Sequence, residues 1–159
     1  MNIRLVCVGK IKEKYLMQGI SEYTKRLSRY AKIEMIQVED EKAPESLSPA
    51  QVQMVKEKEG LRLGRHIRED AMKIALAIEG QSLSSEGFSD RLQQYGLSGQ
   101  SRVDFIIGGS VGLDEAIIRQ ADLVLSFSSF TFPHQLMRLI LLEQIYRAFK
   151  IARGEPYHK

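Results

Sequence analysis

The chain has 159 residues, of which 43% are hydrophobic and 27% charged, as is ordinary for one globular domain. Its net charge is +3, and its single cysteine, Cys7, excludes an internal disulfide and a cysteine-based zinc site. No apolar run approaches the roughly 20 residues of a membrane span, and the N-terminus lacks a signal-peptide cleavage site. We therefore expect one cytoplasmic domain over residues 1–159, without membrane association.

The first half of the chain alternates strand and helix patterns. Residues 3–8 predict a buried strand, and a helical stripe follows at Leu16, Ile20, Tyr23, Leu27 and Tyr30. A second strand is predicted over 33–38, and the connection after it, over 39–48, is expected to be exposed. Ser48 then starts a helix with a capping box to Gln51, which runs to about His66. A third strand is predicted over 73–78.

The second half continues the alternation. Ser84 or Ser85 caps a helix that ends at Gly96 and Gly99, and a fourth strand covers 103–107. A short helix over 114–120 leads to a fifth strand over 123–127, and Pro133 begins the longest apolar helix. Five strand and helix alternations predict an α/β domain with a largely parallel sheet and helices on both faces.

Ligands in such sheets bind beyond the carboxyl ends of the strands. Three strand ends are unusual, at 76–80, 107–112 and 126–133. The glycine loop GGSVG follows a strand and precedes a helix, but its spacing is not that of a dinucleotide-binding loop. Taken alone, it fits a tight structural turn as well as a ligand loop.

The last helix is apolar in nearly every direction over residues 136–142, so it must be covered on all sides. One side can lie on the sheet of its own chain, and a second copy of the chain is the expected cover for the other. Leu139, Leu142 and Tyr146 share a face, and we assign part of this helix to a self-contact in a two-fold dimer. Which face meets the sheet is left open by the pattern.

Basic residues are concentrated near both ends. Residues 10–32 hold seven basic side chains against two acidic ones, and residues 147–159 hold four against one. Solvated helix faces explain this pattern adequately, and a phosphate-binding face is the alternative. The three histidines, His66, His134 and His158, show no metal-ligand spacing, so no metal is expected. His134, in the first turn of the last helix, is as consistent with a cap as with a ligand contact.

Several motifs together resemble a known family. They are VGK and KEKY near the N-terminus, DEKAPE, FIIGGSVGL, LSFSSFTFPHQLMRLILLEQIYRAFKI and the terminal RGEPYHK. These motifs span essentially the whole chain, and it resembles the ribosomal RNA large subunit methyltransferase H family of the SPOUT class. The resemblance implies a C-terminal trefoil knot, which general topology rules would otherwise disfavour.

The resemblance also implies a reaction. Members of this family transfer a methyl group from S-adenosylmethionine to N3 of a pseudouridine in 23S ribosomal RNA of the assembled ribosome, and they act as homodimers. Two rival interpretations are a flavodoxin-like nucleotide-binding regulator without enzymatic activity and a purely structural, ribosome-associated dimer. Calorimetry with S-adenosylmethionine separates out the structural dimer, which binds no small ligand. Tight binding of S-adenosylmethionine with no methylated RNA product would favour the regulator over the enzyme.

Site residues follow by position from the same resemblance. The expected cofactor-binding residues are Leu76, Gly108, Phe127, Ser128, Ser129, Phe130, Thr131 and Phe132. Gly108 is expected to leave room for the cofactor that a side chain would fill.

The expected catalytic residues lie in the tail. Arg153 is expected as a cation, Tyr157 as a stacking or hydrogen-bonding group, and His158 as a possible base. We expect the tail of one subunit to reach over the cofactor of the other, and a grip on ribosomal RNA alone is the alternative. Arg138 and Arg147 are expected to hold phosphate or to pair with Glu143.

Overall fold

A computed structural model describes residues 1–42 and 44–159, so the predicted connection between the second strand and second helix is described except at position 43. The elements are β1 Asn2–Val8, α1 Lys14–Leu27, β2 Lys32–Val38, α2 Pro49–Gly64, β3 Met72–Ser82, α3 Ser85–Leu97, β4 Arg102–Ile107, α4 Glu115–Gln120, β5 Leu123–Ser126 and α5 His134–Ala152. The five strands form one sheet in the order β2-β1-β4-β3-β5, and every pairing is parallel. The predicted α/β class with a parallel sheet is confirmed.

Helices cover both faces of this sheet, as predicted. On one face, Leu27 of α1, Leu92 of α3 and Ile145 of α5 pack with Leu5 and Phe105 of the central strands. On the other face, α2 and α4 pack against side chains that alternate with these along the strands. The central strands β1 and β4 are therefore apolar on both sides, which explains their nearly continuous apolar sequence.

Local signals set the ends of several helices. The capping box of α2 is present: the Ser48 side chain accepts a hydrogen bond from the Gln51 backbone at 3.2 Å, and the Gln51 side chain accepts one from the Ser48 backbone at 2.8 Å. Ser84, rather than Ser85, is the N-cap of α3. Helix α1 ends at Leu27, so Tyr30 of the predicted stripe lies beyond it.

A buried ion pair holds the edge of the sheet at which the strands begin. Asp104 of β4 is fully buried, and its carboxylate accepts hydrogen bonds from the Arg68 backbone at 2.7 Å and from Arg68 Nε at 2.9 Å. Arg68 also donates to the side chain of Asn2 at 2.9 Å, so it joins the start of β1 to β4. This buried pair lies at the edge opposite the strand ends that form the candidate site.

Candidate functional site

A cavity of about 740 Å³ lies at the carboxyl ends of β3, β4 and β5. Its walls are residues 76–79 of β3, the glycine loop 108–113 after β4, the loop 127–133 after β5 apart from Ser129, and His134 and Met137 at the start of α5. These are the strand ends singled out in the sequence. The volume is typical of a small-molecule site.

Two parts of the glycine loop, at Gly108 and Gly112, approach each other closely through their backbones. A Cβ built on Gly108 would lie 2.7 Å from the carbonyl carbon of Gly112 and 3.0 Å from the nitrogen of Leu113. Gly112 has a φ of +89°, which favours glycine, and its N–H donates to the Gly109 carbonyl at 3.1 Å. The expectation that Gly108 leaves room for a cofactor is therefore wrong. The space is taken by the loop's own backbone, so the loop is both a tight turn and a cavity wall.

Strand β3 contains a looped-out segment that the sequence did not predict. Leu125 of β5 is aligned with both Leu76 and Gln81 of β3, so residues 77–80 have no partner on β5. A Cβ on Gly80 would lie 2.7 Å from the carbonyl oxygen of Val124, so only glycine fits at this close approach. The segment places Ile78 and Glu79 on the cavity wall, and β3 continues to Ser82 instead of ending at Ile78.

The loop after β5 presents aromatic rings to the cavity. Ser128 Oγ accepts a hydrogen bond from the Phe130 backbone at 3.0 Å and stabilises the turn. Phe130 is 76% exposed and lies edge-to-face with Phe132 at 6.5 Å between ring centroids. Phe127, by contrast, packs partly against the core. All the predicted cofactor residues except Ser129 line this one cavity.

His134 and Arg138 lie together at the start of α5. His134 lines the cavity and is partly buried, and no described residue makes a hydrogen bond to its ring. Arg138 is fully buried and donates to the carbonyl oxygens of Val8 at 2.6 Å and Gly9 at 2.9 Å, at the end of β1. Burial and the Arg138 charge lower the pKa of His134. Arg138 therefore neither pairs with Glu143 nor reaches a surface phosphate, contrary to expectation.

The predicted catalytic residues of the tail lie elsewhere within the chain. Tyr157 donates to Glu143 Oε1 at 3.0 Å, and Arg153 stacks over the ring of Tyr30 at 4.7 Å. Glu143 is nine residues along α5 from His134, which corresponds to about 13 Å of helix. Burial and hydrogen bonds to Tyr23 and Glu143 raise the pKa of Tyr157, so it stays protonated. One chain alone does not bring the tail to the cavity.

His158 has both ring nitrogens engaged. Arg147 lies 3.1 Å from Nδ1, and because arginine only donates, Nδ1 must accept. Nε2 then carries the proton and donates to Glu86 Oε1 at 2.8 Å. Arg147 Nε also pairs with Glu143 at 3.0 Å. For Arg147, pairing with Glu143 was one of the two expected roles, and holding phosphate was the other. In this arrangement His158 has no free lone pair with which to act as a base.

The face of α5 assigned to a self-contact is packed within the chain. Leu142 is fully buried in the core, and Tyr146 packs edge-to-face on Tyr23. Leu139 lies against Gly19 of α1, where a Cβ would come within 2.9 Å of its Cδ2. Leu136, Leu139 and Ile140 are each partly exposed and are not among the core-packing side chains. This side of α5 is therefore only partly covered by the chain itself.

Sequence reasoning missed Lys56 and Met137, and it singled out the strand end 76–80 without naming Ala77, Ile78 or Glu79 as site residues. For Ile78 and Glu79 a signal existed: a glycine inside an otherwise regular strand pattern indicates a bulge or a close backbone approach. Lys56 lies on the charged helix α2, and the sequence pattern of that helix indicated no functional role for it. It adds an ammonium group to a wall that also holds the Glu79 carboxylate.

The cavity can bind a molecule with an apolar, flat part and a polar part. Leu76, Ile107 and Phe127 supply apolar surface, while the loops supply backbone groups, as ligand sites in proteins commonly do. Groups of three or more His, Cys, Asp or Glu that would hold a metal ion do not occur in the described residues. No helix in the same part of the chain is long and apolar enough to cross a membrane.

Comparisons with known proteins agree over the full length. A family profile described as "Predicted SPOUT methyltransferase" matches residues 1–158. A protein of Bifidobacterium animalis subsp. lactis named "Ribosomal RNA large subunit methyltransferase H" is 58% identical over 159 residues, which are 100% of both chains. A protein of Bacillus cereus with the same name has the same identity, 58%, over the same 100% of both chains.

A solved structure shares the fold. It is a probable methylase family protein from Haemophilus influenzae, and the superposition covers 99% of this chain and 70% of that one. The TM-score is 0.55 at 10% sequence identity, so this likeness concerns the fold alone.

Proposed function

This chain belongs to the SPOUT methyltransferase family, within the group of ribosomal RNA large subunit methyltransferase H, and we propose that it methylates N3 of a pseudouridine in 23S ribosomal RNA of the assembled ribosome. The observation that carries the proposal is the cavity at the carboxyl ends of β3, β4 and β5, which gathers nearly all the residues expected to bind the cofactor. An enzyme with this substrate works in the cytoplasm.

The cavity fits S-adenosylmethionine as methyl donor. It is large enough for a nucleoside with an amino-acid chain, and its looped-out β3 segment and glycine loop form walls that a Cβ on Gly80 or Gly108 would disturb. Leu76 and Phe127 would hold the adenine on its faces, and the backbone of loop 127–132 would hold its edge. When bound, the cofactor supplies an electrophilic methyl group. The main task of the protein is then to align N3 with that group.

A C-terminal trefoil knot is part of the proposal. It is supported by the three loops at 77–80, 108–112 and 127–132, which line one cavity although they come from three strands. A knot would hold these loops together without a covalent link. Single-molecule stretching from the two termini tests it: a knotted chain stops short of the contour length of 159 residues at about 3.3–3.6 Å per residue, and a chain that reaches it is unknotted.

We also propose that the active form is a homodimer. Phe130 at the cavity rim is 76% exposed, and Leu136 and Ile140 on α5 leave apolar surface uncovered close by. A second copy seated there would cover this surface in a two-fold arrangement. Because the tail does not reach the cavity of its own chain, Arg153, Tyr157 and His158 would act across the dimer.

Two measurements on the purified protein test the function. Calorimetry with S-adenosylmethionine should give one site per chain, and incubation of the protein with unmodified ribosomes and labelled cofactor should label 23S ribosomal RNA at a pseudouridine. Cofactor binding without labelled RNA would instead support the nucleotide-binding regulator. Ribosome binding without cofactor binding would support the structural dimer.

A further inference from the structure

His134 differs from the other two histidines in what surrounds its ring. His66 is exposed and is not among the cavity-lining residues, and both ring nitrogens of His158 are engaged by Arg147 and Glu86. His134 lines the cavity, and within the described residues nothing hydrogen-bonds to its imidazole. It is therefore the histidine with a free lone pair at the place where the cofactor and the target base would meet.

The fold holds His134 in place through Arg138. The Arg138 guanidinium, one helical turn later, donates to Val8, Gly9 and Gln37 at 2.6, 2.9 and 3.1 Å, so it ties the first turns of α5 to the ends of β1 and β2. His134 Nε2 then lies 3.6 Å from the point where a Cβ on Gly9 would be. The ring is confined between the end of β1 and the cavity.

Methylation at N3 of a pseudouridine requires a base. The N3–H of a uracil-type ring is a weak acid, and its proton must leave before or during attack on the methyl group. We propose, on the basis of the proposed function, that His134 is the catalytic residue that accepts this N3 proton. In the step, the N3–H bond breaks as the proton moves to the imidazole, the N3 electron pair forms the bond to the methyl carbon, and the pair of the carbon–sulfur bond returns to sulfur.

The charges around His134 suit this role. Burial and the Arg138 cation on α5 lower its pKa, while the Asp40 carboxylate after β2 opposes them less strongly. The N-terminal end of α5 also disfavours a charged imidazole. Cys7 of β1, beside Arg138, is buried and stays a thiol, since burial raises its pKa to about 12. Burial and Arg138 therefore favour the neutral imidazole, the form whose lone pair accepts a proton, and they also make it a weaker base than an ordinary histidine. The buried Arg138 cation also stabilises the negative charge that develops on the pseudouridine ring as N3 loses its proton.

The test separates proton transfer from binding. His134→Gln keeps a hydrogen-bonding side chain but cannot take a proton, and His66→Gln is the matched control on the surface. Three quantities are measured for each protein: the imidazole titration of the cofactor-free protein by NMR, the affinity for S-adenosylmethionine by calorimetry, and the single-turnover methylation rate of ribosomes from acidic to basic pH.

We expect the NMR titration of His134 to lie below the ordinary value of a histidine, and His134→Gln to bind cofactor normally. Its methylation rate should fall by about 100-fold or more, and the acidic limb of the wild-type pH profile should disappear. A loss well short of this, or an unchanged acidic limb, overturns the inference while the wild type still methylates. A wild type that forms no methylated RNA overturns the proposed function and this inference with it.

Discussion

Gly108 approaches Gly112 so closely that a Cβ at position 108 would lie 2.7 Å from the carbonyl carbon of Gly112. The contact is with backbone, which cannot move aside as the end of a flexible side chain can. Any side chain at position 108 must therefore push the loop 108–112 out of its place in the cavity wall.

We predict that Gly108→Ala reduces the free energy of unfolding by about 1–3 kcal/mol, as overpacking does, and weakens binding of S-adenosylmethionine. Gly64→Ala is the control, because it lies at the end of α2 with no atom within 4 Å of a Cβ. That control should be neutral or slightly stabilising. Urea unfolding and calorimetry measure both effects, and a Gly108→Ala protein as stable as wild type would contradict the contact.

Phe130 should contribute to cofactor binding without supporting the fold. It lines the cavity but is 76% exposed, so its truncation removes little packing within the chain. We predict that Phe130→Ala raises the dissociation constant for S-adenosylmethionine by roughly tenfold, equivalent to about 1.4 kcal/mol, with an unchanged melting temperature. Ser129→Ala, which removes a neighbour outside the cavity, should bind as wild type does. Equal affinities for the two variants would place the cofactor away from this loop.

Two substitutions on α5 distinguish its inner and outer faces. Ile140→Glu places a charge on the partly exposed face and should yield a folded monomer, seen by sedimentation. Leu139→Glu places a charge against Gly19 of α1 and should instead lower stability by about 2 kcal/mol or more. An Ile140→Glu protein that still sediments as a dimer would exclude this face as the interface.

Deletion of residues 157–159 tests the tail. Tyr157 and His158 pack on the surface of their own chain, so the truncated protein should remain folded. We predict that methylation is lost while binding of ribosomes and of S-adenosylmethionine, each measured separately, is retained. Lost ribosome binding would support a grip on ribosomal RNA instead. Full methylation activity would mean that these residues serve neither purpose.

The Asp104 and Arg68 pair should dominate polar stabilisation of the sheet. Asp104→Ala leaves the largely buried Arg68 guanidinium without its carboxylate, and we predict a loss of about 3–5 kcal/mol in unfolding free energy. The control is Arg102→Ala in the exposed pair with Asp70, which should cost less than about 1 kcal/mol. Urea denaturation measures both, and similar losses would mean that burial is not what sets the value.

Much of the fold is readable along the chain because its signals are local. The Ser48 and Gln51 capping box, the alternation of strands and helices, and the unusual strand ends depend on neighbours in sequence. The capping box and the alternation were found where predicted, whereas β3 runs past its predicted end to Ser82. The location of the cavity follows from them, because parallel strands bring their carboxyl ends to one edge. Leu76 and the aromatic loop after β5 were assigned to that site by resemblance.

The remaining features depend on partners that are distant in sequence. Glycine is required at position 80 because the backbone there lies against the backbone of Val124. The sequence around either residue alone does not predict this contact. The helix α5 is apolar all round, so its periodicity does not reveal which face meets the sheet, and the packing of Leu141, Leu142 and Ile145 in the core with the strands decides it. Similarly, Arg138 reads as a surface cation until the ends of β1 and β2 surround it. Sequence determined which apolar faces must be buried, because an apolar face follows from composition and period. Tertiary structure decided what buries them, and which polar side chains such as Arg138 are buried with them, because contact requires two segments to meet.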